Sequence, residues 1–111
     1  MRQEVLKVDV QLRRGLLDVC VLKSLSSGDS YGYQIIKDVS PHIEISESTL
    51  YPILKRLESE HCLTAYSVEH RGRLRKYYRI TRDGENKIED FLVGWADVMR
   101  AYQFISGCED E

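Results

Sequence analysis

Apolar residues recur at helical spacing in four stretches of the chain. In the first stretch, leucines, valines and a cysteine between Leu12 and Leu25 form a broad stripe that ends at the turn-forming cluster Ser26-Ser27-Gly28-Asp29. Residues 1–11, before this stripe, mix valine and leucine with charges, which fits either a short separate helix or the first turns of the same helix. The pattern therefore predicts a nearly buried helix close to the N-terminus.

The next two stretches predict shorter helices. Asp29 or Ser30 is the expected N-cap of the second helix, which ends at Ser40-Pro41 because the residue before a proline avoids the helical conformation. The third helix begins at Ser46, whose hydroxyl can accept hydrogen bonds from the free amides of the first turn. Pro52 lies beyond that turn and costs up to about 3 kcal/mol, because it lacks an amide hydrogen. The buried positions follow i, i+3, i+4, i+7 spacing: Leu50, Ile53, Leu54 and Leu57.

Residues 63–70 and 74–81 alternate with a period of two, which predicts two strands joined around Arg71-Gly72-Arg73. Thr81 is then the expected N-cap of a long last helix with acidic residues in its first turn. The apolar positions of that helix are Ile88, Phe91, Leu92, Trp95, Val98, Met99, Tyr102 and Ile105. The whole pattern predicts a mainly α fold with a small β-hairpin, which is an α+β class.

Length and composition restrict the class of protein. With 111 residues, of which 42% are hydrophobic and 31% charged, the chain is expected to form one globular domain, not a disordered chain or a multidomain enzyme. No charge-free stretch reaches the ~20 apolar residues of a membrane span, and we expect a cytoplasmic protein. Three cysteines far apart in sequence, Cys20, Cys62 and Cys108, favour reduced thiols over a disulfide framework.

The net charge of −2 hides a segregation of charge along the chain. Residues 1–81 carry 13 basic and 10 acidic side chains, whereas residues 82–111 carry 3 and 8. Residues 71–82 contain no acid and hold the cations Arg71, Arg73, Arg75, Lys76, Arg79 and Arg82. Because so many cations repel one another unless they face solvent or a polyanion, this run is either a solvated charged hairpin or a surface for nucleic acid.

Three helices followed by a two-stranded hairpin are the element order of a winged helix-turn-helix, with the hairpin as the wing. The third helix exposes small hydroxyl side chains at its start. Such a helix fits the ~12 Å major groove of DNA, while nearby cations hold the phosphates. We therefore predict a DNA-binding winged helix-turn-helix in residues 1–81 and a C-terminal dimerisation helix in residues 82–111.

Several motifs follow one another along the chain: Leu16-Leu17 through Leu25, Tyr31-Gly32-Tyr33-Gln34-Ile35, Ser48 to Glu58, and Arg75-Lys76-Tyr77-Tyr78-Arg79-Ile80-Thr81 with Gly84. In this order they closely resemble the PadR family of bacterial transcription regulators. The resemblance covers most of the chain and implies a winged-helix homodimer that represses promoters until an effector binds. The chain departs from the family pattern at His61-Cys62-Leu63, where members usually have glycine before the first strand, and in the extra residues before Leu12.

The resemblance also implies roles for individual residues. The groove-facing start of the third helix would comprise Ser48, Thr49, Tyr51 and Pro52, with the N-cap Ser46 beside them and Lys55 on a phosphate. The wing would hold the DNA backbone through Arg73, Arg75 and Lys76, and Tyr33 would reach a phosphate through its hydroxyl. Packing is the alternative role for the tyrosines Tyr31, Tyr33, Tyr77 and Tyr78, and it is the expected role of Tyr78, which shares strand parity with Ile80.

The last helix, with about 23 residues, spans roughly 35 Å, which is longer than the winged-helix part can cover, so its apolar stripe requires another partner. A twofold copy is the simplest partner, and the expected dimer interface comprises Ile88, Leu92, Trp95, Met99, Tyr102 and Ile105. Such a homodimer would bind an inverted-repeat operator in double-stranded DNA. The resemblance places Trp95 at the twofold seam. Two indoles there either sandwich a small planar aromatic effector, in a site lined by Phe91, Val98 and Met99, or only pack in the dimer core.

Three other functions compete with this interpretation. An enzyme is disfavoured, because no catalytic Ser-His-Asp order, glycine-rich phosphate loop or metal-binding His-x-x-x-His motif occurs. A metal- or redox-responsive regulator would use His61, Cys62 and His70, which a hairpin can bring within a few ångströms of one another, although a closed zinc site requires three or four ligands. A winged-helix protein-protein adaptor is disfavoured by the acid-free run. We therefore expect no cofactor and no resident metal.

Overall fold

The computed structural model describes the backbone of residues 3–107 and the side chains of residues 12–107. Its elements follow in the order α1 (Gln3–Ser24), β1 (Ser30–Tyr31), α2 (Gly32–Val39), α3 (Glu47–Ser59), β2 (Leu63–His70), β3 (Arg73–Ile80) and α4 (Arg82–Ser106). The strands form one antiparallel sheet in the order β1-β3-β2. This is a winged helix followed by a long fourth helix, and the predicted α+β class is confirmed.

The start of the second helix is where the prediction was wrong. Ser30 and Tyr31 form a short strand that pairs with Tyr78 and Tyr77 of β3, so neither Asp29 nor Ser30 is the N-cap. The cap residue is Tyr31, and its side chain makes no capping hydrogen bond. A strand of two residues is too short to produce a periodic pattern, which is why the sequence predicted only a hairpin. At the N-terminus, residues 3–11 belong to the first turns of α1, while their side chains lie outside the described part.

The hydrophobic core lies between the first three helices and the inner face of the sheet. Its members are at most 8% exposed, and they include the predicted stripe of α3. They are Leu17, Val21, Leu22, Leu25, Ile35, Val39, Ile45, Leu50, Ile53, Leu54, Leu57, Cys62, Leu63 and Tyr78. We call the part of the molecule from α1 to β3 the body. Within the body, we call β2, the turn after it and β3 the wing.

The turn from α3 into β2 is a Schellman motif in which a histidine occupies the position usually filled by glycine. His61 has a left-handed φ of 64°. Its amide donates to the carbonyl of Glu58 at 3.0 Å, and the amide of Cys62 donates to the carbonyl of Leu57 at 2.9 Å. The departure from the family pattern at His61-Cys62-Leu63 therefore preserves the turn geometry, with a residue type that accepts φ > 0 at some cost.

The start of α4 is fastened to this same turn. The hydroxyl of Thr81 donates to the carbonyl of His61 at 2.6 Å and accepts from the amide of Gly84 at 3.1 Å, so the predicted N-cap is confirmed. The amide of Thr81 donates to the carbonyl of Cys62 at 3.1 Å. A Cβ at Gly84 would lie 2.2 Å from the Cys62 carbonyl oxygen, so only glycine allows this close approach.

Beyond its first turns, α4 leaves the body. Ile88 still packs against the hydrophobic core, whereas Leu92, Met99, Tyr102 and Ile105 are between 40% and 78% exposed. The molecule is accordingly elongated, with extents of 58 × 32 × 24 Å. Within residues 3–107, no helix combines the length and the hydrophobicity that crossing a membrane requires.

Candidate nucleic-acid interface

The outward face of α3 consists of small polar side chains at its start. Ser46, Ser48 and Thr49 are exposed. The predicted N-cap at Ser46 is confirmed, but its hydroxyl makes no bond to a backbone amide and lies 3.1 Å from the hydroxyl of Ser48 and 3.3 Å from that of Thr49. A cluster of exposed hydroxyls that bond to one another can exchange those bonds for bonds to base edges or phosphates.

The two cations near the middle of α3 have different surroundings. Arg56 is turned inward and forms a partly buried ion pair with Asp18 of α1. Lys55 is exposed beside Pro52 on the outward face. Arg56 therefore fastens α3 to α1, and Lys55 is the cation of this helix that is placed to reach a DNA phosphate.

Tyr51 is 46% exposed, and the end of its ring lies against the first turn of α2. A Cβ at Gly32 would be 2.2 Å from the Tyr51 hydroxyl oxygen. Gly32 therefore makes room for the Tyr51 side chain. The position of Tyr51 at the surface depends on α2 as well as on its own helix.

A cleft of about 260 Å³ separates the wing from the starts of α2 and α3. It is lined by Tyr31, Gly32, Tyr33, Tyr51, Arg75, Lys76 and Tyr78. Tyr33 is 62% exposed, with the ammonium of Lys37 5.7 Å from the centre of its ring. Tyr78 is buried as predicted, and burial raises the pKa of its hydroxyl. The floor of the cleft is thus packed, and its rim carries phenol hydroxyls and cations.

The wing ends in a two-residue turn, in which Arg71 and Gly72 have φ values of 54° and 79°. Two consecutive positive φ values are typical of the type I′ turn that joins twisted antiparallel strands. Arg73 pairs with His70 and begins β3, one residue earlier than predicted. Both Arg71 and Arg73 are exposed at the tip, where cations can approach phosphates.

Strand parity divides the predicted cations of the wing between two faces. Arg73 and Arg75 share the outer face with Tyr77, whereas Lys76 lies on the inner face with Tyr78. The guanidinium of Arg75 lies 4.1 Å from the centre of the Tyr31 ring, and the Lys76 ammonium lies 5.8 Å from that of Tyr78. The hairpin can therefore present cations to a DNA backbone from both sides.

One cation of the basic run, Arg79, pairs with an acid that lies far from the wing in sequence, Asp29. Asp29 binds Arg79 of β3 and the hydroxyl of Tyr66 on β2. These partners are 37 and 50 residues from Asp29 in sequence. No local pattern indicates a contact over such separations, so only the packed structure reveals this cluster.

The predicted effector residues lie on α4 near its contact with α1. The rings of Phe91 and Trp95 stack with their centres 5.8 Å apart. Phe91 also lines a cleft of about 370 Å³ between the two helices, together with Gly15, Asp18, Val19, Lys87 and Asp90. Val98 and Met99 are exposed further along the helix. Trp95 is partly buried.

The alternative metal site is wrong, because the wing separates its ligands. His61 and Cys62 precede β2, and His70 ends it. Eight residues of extended strand span roughly 26 Å. Among the described residues, no three His, Cys, Asp or Glu side chains are grouped to hold a metal ion. Cys62 is buried in the core, and burial raises the pKa of its thiol, which disfavours the reactive thiolate.

Comparisons with known proteins agree with this geometry. Residues 21–90 match the model of the transcriptional regulator PadR-like family. A PadR family transcriptional regulator from Eggerthella lenta is 31% identical, with a TM-score of 0.81 over 95% of this chain and 94% of that one. A transcriptional regulator from Clostridium thermocellum is 33% identical, with a TM-score of 0.76 over 84% and 95%. Bacillus subtilis PadR in complex with operator DNA is 26% identical, with a TM-score of 0.63 over 70% of this chain and 46% of that one.

Proposed function

The chain belongs to the PadR-like family of transcriptional regulators, and from that premise we propose that it is a ligand-responsive repressor that binds an inverted-repeat operator as a homodimer. It is a DNA-binding regulator of transcription and not an enzyme. The target is double-stranded DNA, and the protein acts in the cytoplasm, where a bacterial chromosome lies. The observation that carries the proposal is the exposed hydroxyl face of α3 beside an exposed cationic wing.

Sequence readout is assigned to the start of α3. This part of the helix exposes five residues, and an α-helix fits into a major groove: Ser46, Ser48, Thr49, Tyr51 and Pro52. Hydroxyls bond to either kind of base edge, so they specify sequence through position and not through charge.

Binding strength is assigned to the cations and phenols that surround this surface. Lys55, Arg73, Arg75 and Lys76 neutralise phosphates and thereby release counterions, which makes affinity depend on salt. The hydroxyl of Tyr33, at the rim of the cleft, donates to a phosphate oxygen.

Dimerisation is assigned to α4. Its 25 residues extend about 37 Å, and the exposed apolar side chains past Phe91 require a cover that the body does not supply. The proposed interface is the stripe Leu92, Trp95, Met99, Tyr102 and Ile105, within the segment 82–111. Ile88 contributes less to it than its spacing suggests, because this side chain packs against the chain's own core.

The effector site is assigned to the stacked pair of Phe91 and Trp95, with Val98 and Met99 next to it. Two such pairs across a twofold axis offer flat aromatic surfaces to a planar ligand. Titration with planar aromatic compounds would then quench Trp95 fluorescence and weaken DNA binding in parallel. Quenching without any change in DNA affinity would contradict regulation through this site.

The decisive experiment is selection of duplexes from a random pool by the wild-type chain, followed by titration of the selected duplex at several salt concentrations. The proposed function predicts enrichment of an inverted repeat, with half-sites about one helical turn apart, and steep loss of affinity with salt. A chain that enriches no sequence and binds protein partners instead would be the winged-helix adaptor.

A further inference from the structure

A single carboxylate joins both strands of the wing to the loop before α2. Asp29 accepts hydrogen bonds from the Tyr66 hydroxyl on β2 and from the Arg79 guanidinium on β3. Its oxygens lie 3.1 and 3.2 Å from Nε of Arg79, and the closest ion-pair distance is 2.9 Å. We call Asp29, Tyr66 and Arg79 the Asp29 cluster.

Charges within the cluster are matched. The hydrogen bonds from Arg79 and Tyr66 lower the pKa of Asp29, and the bond to Asp29 raises the pKa of Tyr66. At neutral pH the carboxylate is therefore ionised and the phenol is a protonated donor. The Arg79 guanidinium also lies 5.3 Å from the centre of the Tyr66 ring. Arg79 is thus committed to the cluster, unlike Arg71 and Arg73 at the tip.

The Asp29 cluster lies at the base of the wing, and a small tilt there moves the tip of the wing by a larger distance. The Tyr66 ring stacks on Tyr77, whose ring meets that of Tyr31 edge to face, so the base of the wing is packed. Residues 67–74 are all exposed, and no core holds the outer part. From Tyr66 to the end of β2 the strand extends about 13 Å, so a tilt of roughly 10° at the base moves the tip by about 2 Å. Hydrogen bonds to phosphates do not survive such a displacement.

We propose that Asp29 is a positioning residue for DNA binding, which fixes the angle of the wing against α3 by holding Tyr66 and Arg79. This inference rests on the proposed function. A positioning role and a purely electrostatic role of Asp29 predict opposite effects of its removal on DNA affinity. If Asp29 only added negative charge to the DNA-facing side, removing that charge would strengthen binding to every duplex and steepen its salt dependence. If Asp29 positions the wing, removing it weakens binding to the selected operator.

The test compares Asp29→Asn, Tyr66→Phe and the control Asp38→Asn on the selected operator and on a shuffled duplex of equal length. Asp38 is an exposed acid on α2 that accepts from Gln34, so its replacement makes the same change in charge away from the wing. We expect Asp29→Asn to lower operator affinity about tenfold and Tyr66→Phe about threefold, with little loss on the shuffled duplex. Faster hydrogen exchange of wing amides should accompany both changes.

The outcomes separate the two proposals. Tighter binding of Asp29→Asn to both duplexes, or unchanged operator preference in both variants, overturns the positioning role while DNA binding by the wild type stands. A wild type that prefers no duplex overturns the proposed function itself. Because Tyr66→Phe removes one hydrogen bond and no charge, it tests positioning even if Asp29→Asn unfolds. DNA binding by the Tyr66→Phe variant is measured well below the melting temperature of that variant.

Discussion

Apolar side chains are buried in the body but exposed in the outer half of α4. In the body, leucines, isoleucines and valines from three helices are buried against one another, with Leu22, Ile35 and Leu57 fully enclosed. In α4 past Phe91, side chains of the same type are exposed, up to 78% at Ile105. Since burial of apolar area is the main favourable term in folding, the body buries its apolar side chains within one chain, whereas those of the outer α4 stay exposed unless the proposed second copy covers them.

The largest effect on the free energy of unfolding is expected from a cavity in the body. Leu54 is 1% exposed in the core, and Leu54→Ala should lower the free energy of unfolding by about 3 kcal/mol. Chemical denaturation at fixed protein concentration measures this loss. Leu74→Ala, at a wing position that is 76% exposed, is the matched control and should cost under about 0.5 kcal/mol. Equal losses at the two sites would contradict the contrast between buried and exposed leucines.

The next effect concerns association through α4. Leu92→Glu with Met99→Glu places two carboxylates on the proposed interface, and each buried, unpaired charge should cost the dimer about 2 kcal/mol or more. We expect a monomer with unchanged helix content in analytical ultracentrifugation.

Val93→Glu provides the control for this association experiment. It makes the same kind of change on the opposite side of the helix, at a side chain that is 62% exposed. The Val93 variant should sediment like the wild type. Dissociation by the Val93 change, or a wild type that is itself monomeric, would remove α4 from the dimer contact.

A smaller effect should separate DNA binding from association. Arg73→Ala with Arg75→Ala removes two wing cations and should reduce the log–log salt slope of DNA affinity by about two, for operator and shuffled duplexes alike. Fluorescence anisotropy over a salt series measures the slope. Arg82→Ala with Arg100→Ala changes the net charge equally on α4 and should leave the slope nearly constant. The wing assignment fails if the two pairs behave alike.

The smallest expected effect is a gain in stability confined to the body. His61 has a left-handed φ of 64°, so His61→Gly should relieve strain and stabilise the fold by about 0.5–1 kcal/mol. Thermal unfolding at several protein concentrations should show an upward shift that is the same at each concentration. Glu60→Gly, at a cap with an ordinary φ of −90°, should destabilise instead. A concentration-dependent shift would show that body and dimer are not independent.

Much of the fold could be predicted because its elements have local signatures. The stripe of α3, the Thr81 cap and the wing strands each follow from neighbours within a few residues. β1 could not be predicted, because its two residues acquire a partner only at Tyr77 and Tyr78. The basic run was visible as charge, but its division between the two faces of the wing required the register of β2 and β3.

The sequence by itself determined the order of the four helices and the two wing strands, the stripe that is buried and the concentration of cations near the wing, because periodicity and composition act over one or two turns. The tertiary structure decided which cations keep internal partners. Arg56 binds Asp18 and Arg79 binds Asp29, across separations of 38 and 50 residues. A cation is structural when packing brings an acid within about 4 Å of it and is available to DNA when packing does not, and distance in space is not encoded in local spacing.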